Sequence, residues 1–269
     1  MMTQPQSTVS DRIWAALMFF TRLPFWKIRK DVPQEAFRHV VEYWTLSGWL
    51  TGGTLAASYW LSARIFPTAI ALLIALAARL LLTGALHEDG LADFMDGFGG
   101  GHSRERILAI MKDSHIGTFG VLGLLLYLAL LYTTWLHLPP QYLPFYLFAG
   151  DLYAKACSSF IICRLPYARR SEEAKIGTTY VRPHGRGILP YLLRPLVQLF
   201  PVYLWSAFCP QQLLTIWPWL TPLLCVGLLI RYLRQRIQGY TGDCCGAVFL
   251  ITELSFHLTL LAFIHSTVL

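Results

Sequence analysis

Three aspartates in the stretch 87–97 have spacings that place them on one side of a helix. At 100° per residue, Asp89, Asp93 and Asp96 would fall within an arc of about 60°, spread along about 10 Å of the helix axis. Carboxylates crowded in this way repel one another unless a cation lies among them, and Mg²⁺ held by carboxylates keeps positions open for water and substrate phosphate. The spacing therefore predicts a magnesium site for phosphoryl transfer; the alternative is a solvated acidic helix end.

A glycine-rich and basic segment follows the aspartates directly, beginning with the glycines at 99–101. Glycines allow backbone N–H groups to converge on an anion, and arginine offers phosphate a bidentate fork. We therefore expect Arg104, Arg106 and Lys112 to contact a substrate phosphate, although a basic loop can also serve only to set membrane topology. Asp113 is either a further metal ligand or a base, or it pairs with Lys112 or Arg106.

A polar stripe runs through a later apolar segment, where Asp151, Lys155 and Ser158 follow one another at i, i+4 and i+7. Ionisable residues inside a membrane span are costly and normally face the interior of the bundle or a wet cavity. Lys155 therefore either reaches a bound phosphate or pairs internally with Asp151.

The last apolar run begins with a polar turn that contains Thr241 and Asp243. Either side chain could cap the helix, while the helix N-terminus could bind an anion and Asp243 could join a metal cluster. Glu253 lies further along this run and calls for a partner such as Lys155. Several polar sites thus converge on one membrane face, which predicts an active site there.

The composition indicates which elements must position these residues. Hydrophobic residues make up 55% of the 269-residue chain and charged residues 14%, whereas about a quarter is usual for soluble chains. Apolar runs of about twenty residues recur, so we expect an all-α, polytopic membrane helical bundle that forms a single domain over residues 1–269. Basic loops of a membrane protein account for the net charge of +7, and no nucleic-acid partner is needed.

About seven spanning helices are predicted, preceded by an interfacial helix within residues 11–25, because that apolar part is too short to span. The predicted spans are 42–63, 68–86, 117–137, 143–163, 188–208, 213–230 and 245–267. Every second connection is basic, so the positive-inside rule places the N-terminus and the acidic stretch on the cytoplasmic side. The six cysteines show no CxxC or zinc-ligand spacing, and we expect no disulfide framework.

Taken together, these motifs resemble the cobalamin synthase family, the adenosylcobinamide-GDP ribazoletransferases. The matching pieces occur in family order at residues 21–24, 87–97, 104–106, 110–117, 167–169 and 241–247. The acidic motif joined to the run Lys112-Asp113-Ser114 is the most specific part of the resemblance. Two departures are notable: Glu88 occupies a position that is usually apolar in the family, and Lys155 stands where arginine is expected.

The resemblance implies a magnesium-dependent membrane enzyme of vitamin B12 nucleotide-loop assembly, which joins adenosylcobinamide-GDP to α-ribazole or its 5′-phosphate and releases GMP. Asp89, Asp93 and Asp96 would hold Mg²⁺, and either His87 or Asp113 would move the proton. The predicted substrate-binding residues are Arg104, Arg106, Lys112, Lys155, Arg169, Thr241, Asp243 and Glu253.

The resemblance also implies a multi-pass protein of the prokaryotic cell inner membrane, with its active site on the cytoplasmic face. Its partners would be the two substrates and the lipid bilayer, with no nucleic acid; a homo-oligomer and an association with other cobalamin-assembly enzymes stay open. Among rival enzymes, CDP-alcohol phosphotransferases need Ala-Arg where this chain has Ala92-Asp93, and membrane prenyltransferases need a second DxxxD-type motif. A transporter would spread its acids near the membrane midplane and show repeat symmetry.

Overall fold

The structure is a computed structural model that describes residues 7–169, 180–183, 185–206 and 216–268. Throughout this described part the regular structure is helical, without a strand, and one isolated parallel β-bridge joins Tyr167 to Tyr240. The α-helices are α1 (Val9–Phe20), α2 (Gln34–Phe37), α3 (Trp44–Ser62), α4 (Thr68–Thr83), α5 (Leu86–Gly100), α6 (Arg104–Ile110), α7 (Thr118–Leu136), α8 (Leu143–Ser158), α9 (Ile161–Arg164), α10 (Ile188–Gln198), α11 (Phe200–Ser206), α12 (Trp217–Arg236) and α13 (Gly242–Val268). Short 3₁₀ turns lie at Phe25–Lys27, Val40–Tyr43, Pro140–Tyr142 and Gly185–Gly187.

The all-α prediction is confirmed, and the described residues contain three helices that are long and apolar enough to cross a bilayer: α7, α10 together with α11, and α13. The bent pair α4–α5 makes a fourth candidate if it counts as one span. Leucines such as Leu122, Leu125 and Leu126 on α7 are exposed, which is the pattern of a lipid-facing surface. Seven spans are not confirmed, and the predicted spans 188–208 and 213–230 each extend partly outside the described residues.

Two of the predicted spans, 42–63 and 143–163, pack closely against each other. They appear as α3 and the shorter α8; almost every residue of α8 is buried, whereas α3 also has exposed residues such as Trp49 and Trp60. Gly48 and Gly52 let the two helices approach closely, because a Cβ at either position would lie 3.0 to 3.1 Å from the Leu152 side chain. A buried helix such as α8 can carry polar residues because other helices surround it.

The predicted span 68–86 ends early, at a sharp bend between α4 and α5. The two helix axes differ by 88°, and the bend contains consecutive left-handed residues, Gly84 at φ +66° and Ala85 at φ +56°. The left-handed backbone favours glycine at position 84, where a side chain would also have to displace the flexible end of Arg22. The bend makes the acidic stretch a separate helix that begins at Leu86.

The helices α5 and α13 cross at two glycines. A Cβ on Gly90 would lie 3.0 Å from the Asp243 carbonyl oxygen, and a Cβ on Gly246 would lie 3.1 Å from the His87 carbonyl oxygen. Small residues at a crossing let two backbones come close together, as is common between membrane helices. The crossing therefore brings together the acidic motif and the polar turn that opens the last helix.

Candidate active site

The prediction that residues 87–97 are helical is confirmed, but the three aspartates have different surroundings. Asp89 is exposed, Asp93 is half-buried and Asp96 is buried. The Asp96 carboxylate accepts hydrogen bonds from the backbone N–H groups of Gly117 at 2.7 Å and Gly120 at 2.8 Å. Asp96 thus binds the N-terminus of α7, where a negative charge is favoured, and it links the acidic motif to the segment 110–117.

A metal site built from all three aspartates is not assembled. Among the residues that the structure describes, no group of three or more His, Cys, Asp and Glu side chains could hold a metal ion. Asp89 and Asp96 share a helix face but lie seven residues, or about 10 Å, apart along the axis. The exposed Asp89 fits a different arrangement, since Mg²⁺ in phosphoryl-transfer enzymes is often held by one or two carboxylates and the substrate phosphates.

A cavity of about 230 Å³ opens beside Asp89 where α5 and α13 cross. We call it the α5–α13 cavity. Its lining residues are Phe19, Phe20, Val41, Trp44, Leu86, His87, Asp89, Tyr167, Arg169, Tyr180, Gly242, Asp243, Cys245 and Gly246. We call Asp89, Arg169 and Asp243 its ionic wall.

The ionic wall is assembled by a short contact between two loops. Tyr240 donates its backbone N–H to the Pro166 carbonyl at 2.9 Å, and Ala168 donates its own to the Tyr240 carbonyl at 2.8 Å. This pairing places the buried Arg169 beside Asp243, with 3.6 Å between guanidinium and carboxylate. The structure therefore brings together predicted site residues that lie more than seventy positions apart in the chain.

The N-terminus of α13 completes this side of the cavity. Thr241 is buried and its hydroxyl accepts the Cys244 backbone N–H at 3.3 Å, so the alternative that Thr241 caps the helix is confirmed. Gly242 lines the cavity, and a Cβ there would meet open space. The first turn of a long helix, a guanidinium and two carboxylates thus surround one space, an arrangement suited to a phosphate and its cation.

Three rings line another part of the cavity, which we call the aromatic wall: Phe20, Trp44 and His87. Phe20 and Trp44 lie 5.4 Å apart at an interplanar angle of 9°, and His87 lies 5.7 Å from Trp44 at 19° and 6.1 Å from Phe20 at 14°. The sequence analysis singled out His87 but neither of the other rings, because no spacing links residues from three separate helices.

The chain matches a known protein family along most of its length. A sequence model of the family described as cobalamin-5-phosphate synthase matches residues 12–261. The chain belongs to this family. Both walls of the α5–α13 cavity lie within the matched region.

Curated relatives of this family carry the name adenosylcobinamide-GDP ribazoletransferase. The protein from Vibrio parahaemolyticus is 33% identical, over 92% of this chain and 91% of its own length. Those from Ralstonia pickettii and Leptospira interrogans are 34% and 35% identical, covering 94% and 92% of this chain and 96% and 94% of their own. No solved structure gives a significant match.

The two residues predicted to move a proton in this cobalamin-5-phosphate synthase relative lie in different places. His87 is buried in the aromatic wall, and its Nε2 has no hydrogen-bond partner among the described residues. Asp113 is exposed and does not line the cavity. Hydrogen bonds from the ring and backbone of His115 lower the pKa of Asp113, which makes it a weaker base.

The predicted phosphate contacts on α6 and after it are also divided. Arg104 donates to the carbonyls of Ala168 at 2.7 Å and Ile237 at 3.0 Å, so it holds in place the segment that carries Arg169. Arg104, Arg169 and Lys112 line a second cavity of about 420 Å³. Arg106 is exposed and lines neither cavity.

Glu253 belongs to a separate charged region inside the bundle. Its carboxylate accepts from the Arg79 guanidinium at 2.5 Å and from the Tyr127 hydroxyl at 2.9 Å. Arg79 also lies 3.7 Å from Glu88 and 3.9 Å from Asp151. The sequence analysis suggested a partner such as Lys155 for Glu253; the direct partner is Arg79, a residue that the sequence analysis missed.

Lys155 lies at the other end of the same region. Its ammonium group donates to Asp151 and to the Thr51 hydroxyl, and the side chain is fully buried. The internal Asp151–Lys155 pair is therefore confirmed. Lys155 does not line the α5–α13 cavity. We call the set Thr51, Arg79, Glu88, Tyr127, Asp151, Lys155 and Glu253 the buried ion network.

Proposed function

We propose that this chain is a membrane-embedded, magnesium-dependent adenosylcobinamide-GDP ribazoletransferase. It joins adenosylcobinamide-GDP to α-ribazole or α-ribazole 5′-phosphate, giving adenosylcobalamin or its 5′-phosphate together with GMP. The observation that carries the proposal is the α5–α13 cavity, in which two family motifs place carboxylates, a buried guanidinium and a helix N-terminus around one space.

The reaction is a phosphoryl-group transfer. A ribose hydroxyl oxygen of the ribazole forms a bond to the phosphorus attached to cobinamide, and the bond from that phosphorus to the bridging oxygen breaks, so GMP leaves with that oxygen. Arg169 and the N–H groups of the first turn of α13 bind the phosphate oxygens and orient them. His87 is the predicted acceptor for the hydroxyl proton, because it lines the cavity and Asp113 does not.

Magnesium has a place in this scheme at Asp89. We infer that Asp89 holds the ion, with Asp243 or Asp93 as the second protein carboxylate and phosphate oxygens completing the shell. The ion would neutralise charge on the transferred group and on the departing GMP. We assign Asp96 a structural role instead, because it is buried and each of its carboxylate oxygens accepts a backbone hydrogen bond at the N-terminus of α7.

The proposed location is the prokaryotic inner membrane, crossed several times, with the active site at the cytoplasmic face. Among the residues that the structure describes, three helices and one bent pair are apolar enough to span, and the loops around the acidic motif are rich in arginine and lysine. The water-soluble substrates would then reach the cavity from the cytoplasm.

The test is GMP release by the purified full-length protein in detergent, supplied with adenosylcobinamide-GDP and α-ribazole 5′-phosphate. We expect GMP in a one-to-one ratio with a cobalamin product, loss of turnover when EDTA removes magnesium, and recovery when magnesium is returned. If folded protein releases no GMP under any of these conditions, the proposal is wrong, and CDP-alcohol donors become the next substrates to test.

A further inference from the structure

Two members of the aromatic wall, Phe20 and Trp44, have no part in the phosphoryl transfer proposed above, in which His87 accepts the hydroxyl proton. Phe20, Trp44 and His87 come from α1, α3 and α5, and their rings are parallel to within 19°. Parallel rings offer flat apolar faces, on which a heteroaromatic base stacks with about 1–3 kcal/mol per base. We propose that the aromatic wall binds the planar benzimidazole base of the ribazole acceptor, an assignment that rests on the proposed transferase function.

The size of the cavity limits what it can hold. Pockets for whole drug-sized ligands commonly measure about 300–1,000 Å³, whereas the α5–α13 cavity measures about 230 Å³. A corrinoid macrocycle is larger than such ligands, so the cobinamide part of the donor must remain outside. A bicyclic base and part of its sugar match the available space.

Two planar bases take part in the reaction, and the polar groups of the wall favour one of them. The indole N–H of the buried Trp44 has no hydrogen-bond partner in the described part of the chain, and it can only donate. A benzimidazole joined to ribose through one nitrogen keeps one free ring nitrogen, which is an acceptor. Guanine also presents several N–H donors. In the described part of the chain, His87 Nε2 is the unpartnered ring nitrogen of this wall that could accept one of them, so the others would be left unpaired.

The position of the wall also suits the acceptor. His87 and Asp89 are two residues apart at the start of α5, so the aromatic and ionic walls meet there. A ribazole with its base against Phe20 and Trp44 extends its ribose toward Arg169 and Asp89. The attacking hydroxyl then lies on the same side as the phosphates that the ionic wall binds.

The experiment measures KM separately for the two substrates in Phe20→Leu and Trp44→Leu variants of the full chain. Loss of one stacking ring should raise the KM for α-ribazole about tenfold and leave the KM for adenosylcobinamide-GDP within about twofold. Trp44→Phe keeps a stacking ring but removes the indole N–H, so it should raise the KM for α-ribazole less than Trp44→Leu does. Phe145→Leu removes a buried ring of α8 that does not line the cavity, and it is the matched control.

Each outcome decides the assignment. A selective rise in the KM for the donor would assign the wall to guanine, and unchanged KM values for both substrates would exclude either base; both results overturn the proposal. If the wild-type protein shows no turnover, the proposed transferase function is wrong. Calorimetric titration with α-ribazole would then still test whether the aromatic wall binds the base. Saturable binding that Phe20→Leu weakens in a folded variant supports the assignment, and no binding to the wild type overturns it.

Discussion

The molecule contains two regions in which an arginine faces carboxylates, and they differ in access. In the buried ion network, Arg79 is 2% exposed and contacts the fully buried Glu253 at 2.5 Å. In the ionic wall, Arg169 lies 3.6 Å from Asp243, whose side chain is 25% exposed. The Nε of Arg169 has no hydrogen-bond partner among the described residues.

The two arginine–carboxylate pairs are therefore expected to have different roles, one in the stability of the fold and the other in ligand binding. A buried charge that loses its partner is strongly destabilising, so the network should matter for the folded state. A pair at a cavity edge can exchange its partner for a ligand at little cost in stability. Variants of the two regions should therefore separate into losses of stability and losses of turnover.

The largest effect on turnover is expected from Asp89→Asn. Removing the proposed magnesium ligand should lower kcat on the order of 10³-fold, a loss typical of deleting one strong electrostatic contact to the transition state. The thermal midpoint should stay unchanged because Asp89 is exposed. GMP release and thermal unfolding in detergent measure the two quantities.

Asp31→Asn is the matched control for that variant, since it also neutralises an exposed aspartate but lies away from the cavity. Full magnesium-dependent activity in Asp89→Asn would remove the ligand assignment and leave Asp93 and Asp243 as the remaining candidates.

The largest effect on stability is expected from Arg79→Met. The variant leaves Glu253 buried without its cation, which should lower the free energy of unfolding by about 3–5 kcal/mol. A second change, Glu253→Leu, should recover much of that loss because it removes the unpaired charge. Denaturant titration in detergent measures both variants.

Arg64→Met is the control for this pair, because Arg64 is exposed and should change stability by less than about 0.5 kcal/mol. A stable Arg79→Met protein that has lost turnover would contradict the comparison, since it would place Arg79 in the reaction itself.

Some of the residues changed in these variants could be predicted from the sequence, and others could not. The helical character of α5 followed from spacing alone, and the crossing motifs of α5 and α13 contained the glycines that the contact needs. Arg79 carried a usable signal, because a lone ionisable residue inside an apolar helix normally faces a functional or structural partner. The spacing of the motifs drew attention to Lys155 as a possible partner for Glu253, whereas Arg79 lies outside every motif.

Other features could not be read from the chain. The spacing of Asp89 and Asp96 predicts that they share one helix face. The hydrogen bonds that Asp96 accepts from Gly117 and Gly120 depend on the position of the start of α7, which the spacing does not predict. The aromatic wall likewise depends on the packing of three helices, since Phe20 has no sequence relation to His87. The periodicity of a sequence predicts which residues share one face of a helix. It does not predict which residues of other helices pack against that face.

A smaller effect is expected from Arg169→Gln. Loss of a charge-assisted contact to phosphate should raise the KM for adenosylcobinamide-GDP about tenfold or more, while stability changes little. Arg106→Gln is the matched control, because Arg106 is exposed and lines neither cavity. If both changes raise the KM equally, Arg106 also contacts the substrate phosphate, and phosphate binding is not specific to the ionic wall.

The smallest effect is expected from Asp113→Asn. The carboxylate is exposed and outside the α5–α13 cavity, so turnover should change by less than about twofold, within the usual range for surface substitutions. Its pKa is lowered by the hydrogen bonds from His115, so it stays ionised at neutral pH and should contribute no limb to the pH–rate profile there. Profiles of the wild type and the variant should therefore coincide between pH 6 and 8. A loss of about a hundredfold, or a limb that disappears, would make Asp113 the proton acceptor and would require the loop after α6 to close over the cavity.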